Sequence, residues 1–80
     1  MPNHPSLQQV AKSLGTRILQ LRKKKGWTQD QLAAICGLHR SHTGKIERGE
    51  TNLRLSTLVV IAETLDVSVE ELLAAAEGKL

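Results

Sequence analysis

Cys36, His39 and His42 stand at successive three-residue steps. A thiol with two imidazoles is the donor set of a zinc site, or of a cysteine nucleophile with its base. Neither chemistry is completed by the rest of the sequence. A structural zinc site takes four ligands, and the fourth is missing here. Cys36 also shares an apolar stripe with Leu32 and Ala33, where a thiol is expected to be buried and inert. There is no nucleophile elbow, no phosphate-cradling glycine loop and no catalytic carboxylate pair. Glu70 and Glu71 open a helical pattern, where acids favour the helix dipole. The sequence therefore reads as a protein that is not an enzyme and needs no metal or other cofactor. Arg40, Ser41 and Lys45 offer a different chemistry, because such donors bind the base edges and phosphates of nucleic acid.

The elements that must carry these residues lie in Thr28–Gly49, TQDQLAAICGLHRSHTGKIERG. Thr28 followed three residues later by Gln31 has the spacing of a capping box, and Leu32, Ala33 and Cys36 recur at helical intervals behind it. Gly37 provides the positive φ that lets one helix stop and the chain turn. A second short helix follows from about His39 to Arg48, closed by Gly49. Two short helices around a glycine turn form a helix-turn-helix, whose second helix enters the major groove of DNA.

The flanking sequence predicts three more helices. From Ser6, the positions Leu7, Val10, Ala11, Leu14, Ile18 and Leu21 form one face. Gly15 is expected to weaken that helix by roughly 1 kcal/mol and marks a possible bend or boundary. Trp27, the one aromatic residue, is expected to plug the core rather than stack on bases, and its isolation argues against single-strand binding folds. Glu50 to Leu55 is expected to be a loop, with Ser56 capping a fourth helix that carries Leu58, Ile61, Ala62 and Leu65. Asp66 is expected in the left-handed conformation, and Ser68 with Glu71 opens a fifth helix through Leu72, Leu73 and Ala76. No segment alternates with period two, so the fold class is all-α, a compact five-helix bundle. Residues 1–5 are expected to be a flexible lead, 6–77 the working domain and 78–80 a tail.

Eighty residues make one small domain with a limited core. The opening residues lack the pattern of a secretory leader, no apolar run reaches membrane-spanning length, and a single cysteine fits a reducing compartment. The net charge of +3 is unevenly spread. The first 27 residues carry six cations and no acid, whereas residues 56–80 carry five acids against Lys79. That gradient favours a polyanion on one face and a different partner on the other.

TQDQLA, GLHRSHTGKIERG, the spaced Asn52, Leu55 and Leu58, and IAETLDVSVEELL together resemble the phage repressor and Cro-like helix-turn-helix family over about residues 14–73. The match includes Leu21–Arg22, Gly26, Thr28–Gln29, Leu32–Ala33, Ile46–Glu47 and Gly49. Within the family, RSHTGKIERGETNLRL is most similar to the controller proteins of restriction–modification systems, which regulate their own operon as dimers. The resemblance implies a lambda-repressor-like fold and a cytoplasmic regulator of prokaryotic, phage or plasmid origin. Its implied partners are a double-stranded DNA operator and a second copy of the chain, with RNA polymerase as a further candidate. The same fold also serves antitoxins, so a protein-interaction module stands as the alternative. Two positions depart from the family. His39 replaces a small hydroxyl cap, and Thr43 replaces a buried aliphatic residue, its hydroxyl expected to bond back to the carbonyl four residues earlier.

In this frame His39, Arg40, Ser41 and Lys45 are the candidate base contacts, with Gly44 expected to allow close approach to the groove. Arg40 is suited to the bidentate bond with guanine O6 and N7. Thr28, Gln29, Arg48 and Asn52 are candidate backbone contacts, Gln29 through its amide and the helix N-terminus. The resemblance assigns Arg22 and Glu47 to an internal pair. Val59, Val60, Val69, Leu72, Leu73 and Ala76 leave more apolar surface than one small core requires. They are the candidate isologous dimer interface.

Overall fold

The computed structural model describes residues 5–74. Five helices follow one another: α1 (Leu7–Lys24), α2 (Gln29–Cys36), α3 (Arg40–Glu47), α4 (Leu55–Thr64) and α5 (Val69–Ala74). No strand occurs among the described residues. Local capping sets most of the helix starts. The Ser6 hydroxyl accepts the Gln9 N–H while the Gln9 side-chain Oε1 accepts the Ser6 N–H, so both orphan donors are satisfied. Ser68 and Glu71 make the same reciprocal pair ahead of α5. Hydrogen bonding from the Ser68 backbone, then from its hydroxyl, holds the Glu71 carboxyl below its ordinary range, with the Arg17 charge adding to the effect. A lowered folded-state pKa means this contribution is complete above the ordinary carboxylate pKa. It is lost as pH falls through the lowered value.

The core is aliphatic. Ile18 of α1, Leu32 of α2, Ile46 of α3, Ile61 of α4 and Leu72 of α5 are all buried in one cluster, with Trp27 packed against its edge. Every helix therefore contributes at least one side chain to the same apolar contact, which explains why helices as short as these persist in water. Asp66 adopts φ 60° at the α4–α5 turn. Its carboxylate is 2.5 Å from Lys25 Nζ, which also sits 5.7 Å from the centre of the Trp27 ring.

Two expectations are corrected. First, α1 does not stop at Gly15; it runs unbroken to Lys24. A Cβ at residue 15 would lie 2.3 Å from the Ile46 carbonyl oxygen and 2.7 Å from that of Glu47. The glycine is where the C-terminal carbonyls of α3 rest directly on α1, and its helix-weakening tendency is the cost of that approach. Second, α4 starts at Leu55, with Arg54 as an N-cap that makes no side-chain bond. Starting there lets the Arg54 carbonyl accept the Leu58 N–H at 3.0 Å, a helical bond that a start capped by Ser56 would forgo. Of the front-half cations, Arg22 is buried and Lys25 pairs with Asp66, while Lys12, Lys23 and Lys24 are exposed.

Candidate nucleic-acid interface

The α2–α3 unit is built from the cap inward. The Thr28 hydroxyl accepts the Gln31 N–H at 3.1 Å, and Gln31 Oε1 accepts the Thr28 N–H at 2.7 Å. Gly37, at φ 70°, ends α2 and redirects the chain into α3. His39 caps α3: its Nδ1 accepts the Ser41 N–H at 3.2 Å and lies 2.7 Å from Ser41 Oγ. An imidazole thus does what a small hydroxyl does elsewhere, and it ties the Ser41 hydroxyl to the helix start.

The two sides of α3 differ sharply. Thr43, Gly44, Ile46 and Glu47 are buried, and Arg40, Ser41 and Lys45 are exposed, followed by exposed Arg48 at the C-cap. Residues 41, 45 and 48 follow helical steps of four and three, so Ser41, Lys45 and Arg48 form one stripe with Arg40 beside it. Gly44 does not belong to the exposed side. A Cβ there would lie 3.1 Å from Arg48 Nη1 and 3.6 Å from Gln29 Oε1. Its lack of a side chain leaves room for those two side chains.

Behind the exposed stripe is a buried polar hub. Arg22 Nε donates to Glu47 Oε2 at 2.5 Å and Nη2 to Glu47 Oε1 at 2.9 Å, while Nη1 donates to the Trp27 carbonyl at 2.7 Å. The Glu47 hydrogen bond is the main reason the Arg22 pKa is raised, against the opposing effect of burial. Gln29 Nε2 donates to Glu47 Oε1 at 2.9 Å. One carboxylate therefore joins α1, the start of α2 and the end of α3. The Gln29 amide expected to face a phosphate is held by Glu47, which leaves one amide hydrogen for an external acceptor. No short-range signal in the sequence marks that bond, because its partners are far apart in the chain.

Thr43 is also corrected. Its hydroxyl is buried without a hydrogen-bond partner, so the expected bond to the carbonyl four residues back is not made. The His39 carbonyl already accepts the amides of His42 and Thr43 at 2.9 and 3.3 Å. Thr43→Val removes the unsatisfied hydroxyl and keeps the shape. It should raise stability by roughly 1 kcal/mol in urea unfolding. A loss of stability would show that the hydroxyl has a partner after all.

Other candidates are placed as follows. Asn52 is exposed in the loop before α4, and Thr51 and Asn52 border a small apolar cavity of about 140 Å³ lined by Val10, Leu14, Ile46 and Leu58 among others. Cys36 is half-buried, its Sγ 3.5 Å from Thr64 Oγ1. Among the described residues no three His, Cys, Asp or Glu side chains gather to hold a metal. Val59 and Val60 of α4 are exposed, with Leu55 still more so. Leu72 is fully buried and cannot reach a partner; its side chain belongs to the core that α5 closes. Val69 and Leu73 are half-buried against that core, and Ala76 lies outside the described residues. None of the described helices is long and apolar enough to cross a membrane.

At this interface sequence reasoning missed two ion pairs. Arg40 Nη1 lies 3.8 Å from Asp30 Oδ2, and Arg48 Nε lies 3.1 Å from Glu50 Oε2. The Arg48 pair was legible in principle, since its members are two residues apart. The Arg40 pair depends on how α2 and α3 cross.

The helix-turn-helix family model (HTH_3) matches residues 18–72. Control protein C.SmaI of Serratia marcescens is 41% identical over 64 residues, which span 80% of this chain and 76% of that protein. The crystal structure of the restriction-modification controller protein C.AhdI from Aeromonas hydrophila is similar with a TM-score of 0.74 and 39% identity, covering 78% of this chain and 94% of that one. SinR, a master regulator for biofilm formation crystallised in complex with DNA, is similar with a TM-score of 0.71 and 41% identity, covering 75% of this chain and 97% of that one. By sequence and by fold alike, the chain belongs to the helix-turn-helix family, alongside restriction–modification controller proteins.

Proposed function

We propose that the chain is a sequence-specific double-stranded DNA-binding transcriptional regulator that acts as a dimer on a palindromic operator. The observation that carries the reading is the two-sided character of α3. Arg40, Ser41, Lys45 and Arg48 stand exposed over a buried face that the Arg22–Glu47–Gln29 hub fixes to the rest of the domain. Such a helix can enter a major groove by its N-terminal turn while α2 meets the backbone. Similarity to C.SmaI, C.AhdI and DNA-bound SinR supports the same reading. One copy covers a half-site, and the exposed Leu55, Val59 and Val60 on α4 supply an apolar patch for an isologous contact. The setting proposed is the cytoplasm, with RNA polymerase as the further partner met at a promoter.

Selection of bound duplexes from a random pool tests this. A palindromic product supports the dimeric regulator, and the absence of any enrichment favours the protein-interaction module instead. Arg40→Ala should then cost about 1–3 kcal/mol on the selected duplex and relax the preference at one base pair per half-site. Equal losses on selected and random DNA would remove Arg40 from the base-reading set.

A further inference from the structure

Asp30 is the sole carboxylate in the first 46 residues. It is exposed in the first turn of α2, beside the cationic face of α3. An acid there repels phosphate. Its local benefit is to the α2 dipole, which is the bland explanation for its presence. The structure adds a second relation, because Asp30 Oδ2 lies 3.8 Å from Nη1 of Arg40, the first residue of α3. Both side chains are exposed, and the backbone turns that carry them are fixed. The Thr28–Gln31 capping box fixes the turn that carries Asp30, and the His39 cap fixes the turn that carries Arg40. The approach is longer than a hydrogen bond, an attraction of charges in which Nη1 is the near nitrogen. Nε and Nη2, the edge that pairs with two acceptors side by side, are left open.

We propose that Asp30 is a positioning residue for base recognition. Its carboxylate holds one corner of the Arg40 guanidinium so that the opposite edge is presented to guanine O6 and N7. This rests on the DNA-reading function proposed above. A long arginine side chain loses rotamer freedom when it docks, and a carboxylate that restrains it beforehand reduces that loss. The pair is retained in the cognate complex and strengthens there as water leaves. On random DNA, where Arg40 finds no guanine in register, Asp30 contributes only its repulsion of phosphate. One residue thus favours the cognate site and disfavours the rest, an outcome that a dipole role alone does not produce.

Fluorescence anisotropy of the intact chain against a selected duplex and a random-sequence duplex tests the assignment. Asp30→Asn should weaken binding to the selected duplex about fivefold, the upper range for an exposed pair, while binding to random DNA is unchanged or tightens. Asp30→Glu, which restores the charge, should recover most of the specificity. In an Arg40→Ala background the loss on the selected duplex should disappear. Glu50→Gln is the comparator: it faces Arg48, a backbone candidate, and should shift both duplexes alike. Equal shifts on the two duplexes for Asp30→Asn, or a loss that persists without Arg40, would overturn the assignment while leaving DNA recognition intact. Failure of the unmodified chain to prefer any duplex would overturn the DNA reading and this inference with it.

Discussion

Glu47→Ala should destabilise the domain by about 3–5 kcal/mol, because it leaves the Arg22 guanidinium buried without its counter-charge. Small domains have total stabilities of about 5–15 kcal/mol, so the variant is expected to be largely unfolded at moderate temperature. Arg22 and Glu47 are both buried, and their two parallel hydrogen bonds are joined by bonds to the Trp27 carbonyl and the Gln29 amide. Removing the carboxylate strands the Arg22 Nε and Nη2 donors and the Gln29 amide together. Replacing both charged residues, as in Arg22→Met with Glu47→Leu, should recover most of the loss, since the desolvation cost of both ions disappears with them. Urea unfolding of the single and double variants measures this. A loss below about 1 kcal/mol for Glu47→Ala would mean that water reaches the pair and the hub is not structural.

Gly15→Ala should destabilise by about 3 kcal/mol, at the upper end of the range for overpacking. The sign is opposite to the one helix propensity gives, since Ala is favoured over Gly by about 1 kcal/mol in an exposed helix. The added methyl would stand 2.3 Å from one backbone oxygen of α3 and 2.7 Å from the next. Neither is the flexible end of a side chain, so α3 as a whole must move. Thermal unfolding gives the cost. The displacement of α3 should also appear as weaker binding to the selected duplex at temperatures where the variant remains folded. A stabilised Gly15→Ala variant would show that α1 and α3 do not approach this closely.

These two positions also show where sequence reasoning reaches its limit. Caps act across three residues, so Thr28–Gln31 and Ser68–Glu71 were legible as helix starts, and apolar steps of three and four identified the core faces. The Gly15 contact joins α1 to α3, and nothing near residue 15 distinguishes a close approach from a weak point in a helix. Ser56 misled for a related reason. A good capping residue was present, but the chain gained a helical bond by beginning earlier. At the candidate site, residue types and helical phase were enough to separate exposed Arg40, Ser41 and Lys45 from buried Ile46. Gly44 fell on the wrong side because the space it leaves is filled by Gln29 and Arg48, whose positions depend on tertiary packing. Leu72 failed as an interface residue in the same way, since a helical stripe does not tell a core from a partner.

The seating of α3 on Gly15 has a consequence for transplantation. The contact is made by main-chain oxygens of residues 46 and 47, atoms that every substitution leaves in place. Exchanging Arg40, Ser41 and Lys45 for other side chains therefore does not alter how this contact docks α3 on the domain. The scaffold can accept a rewritten outer face as an interchangeable part, provided that residue 15 stays bare and Glu47 stays paired.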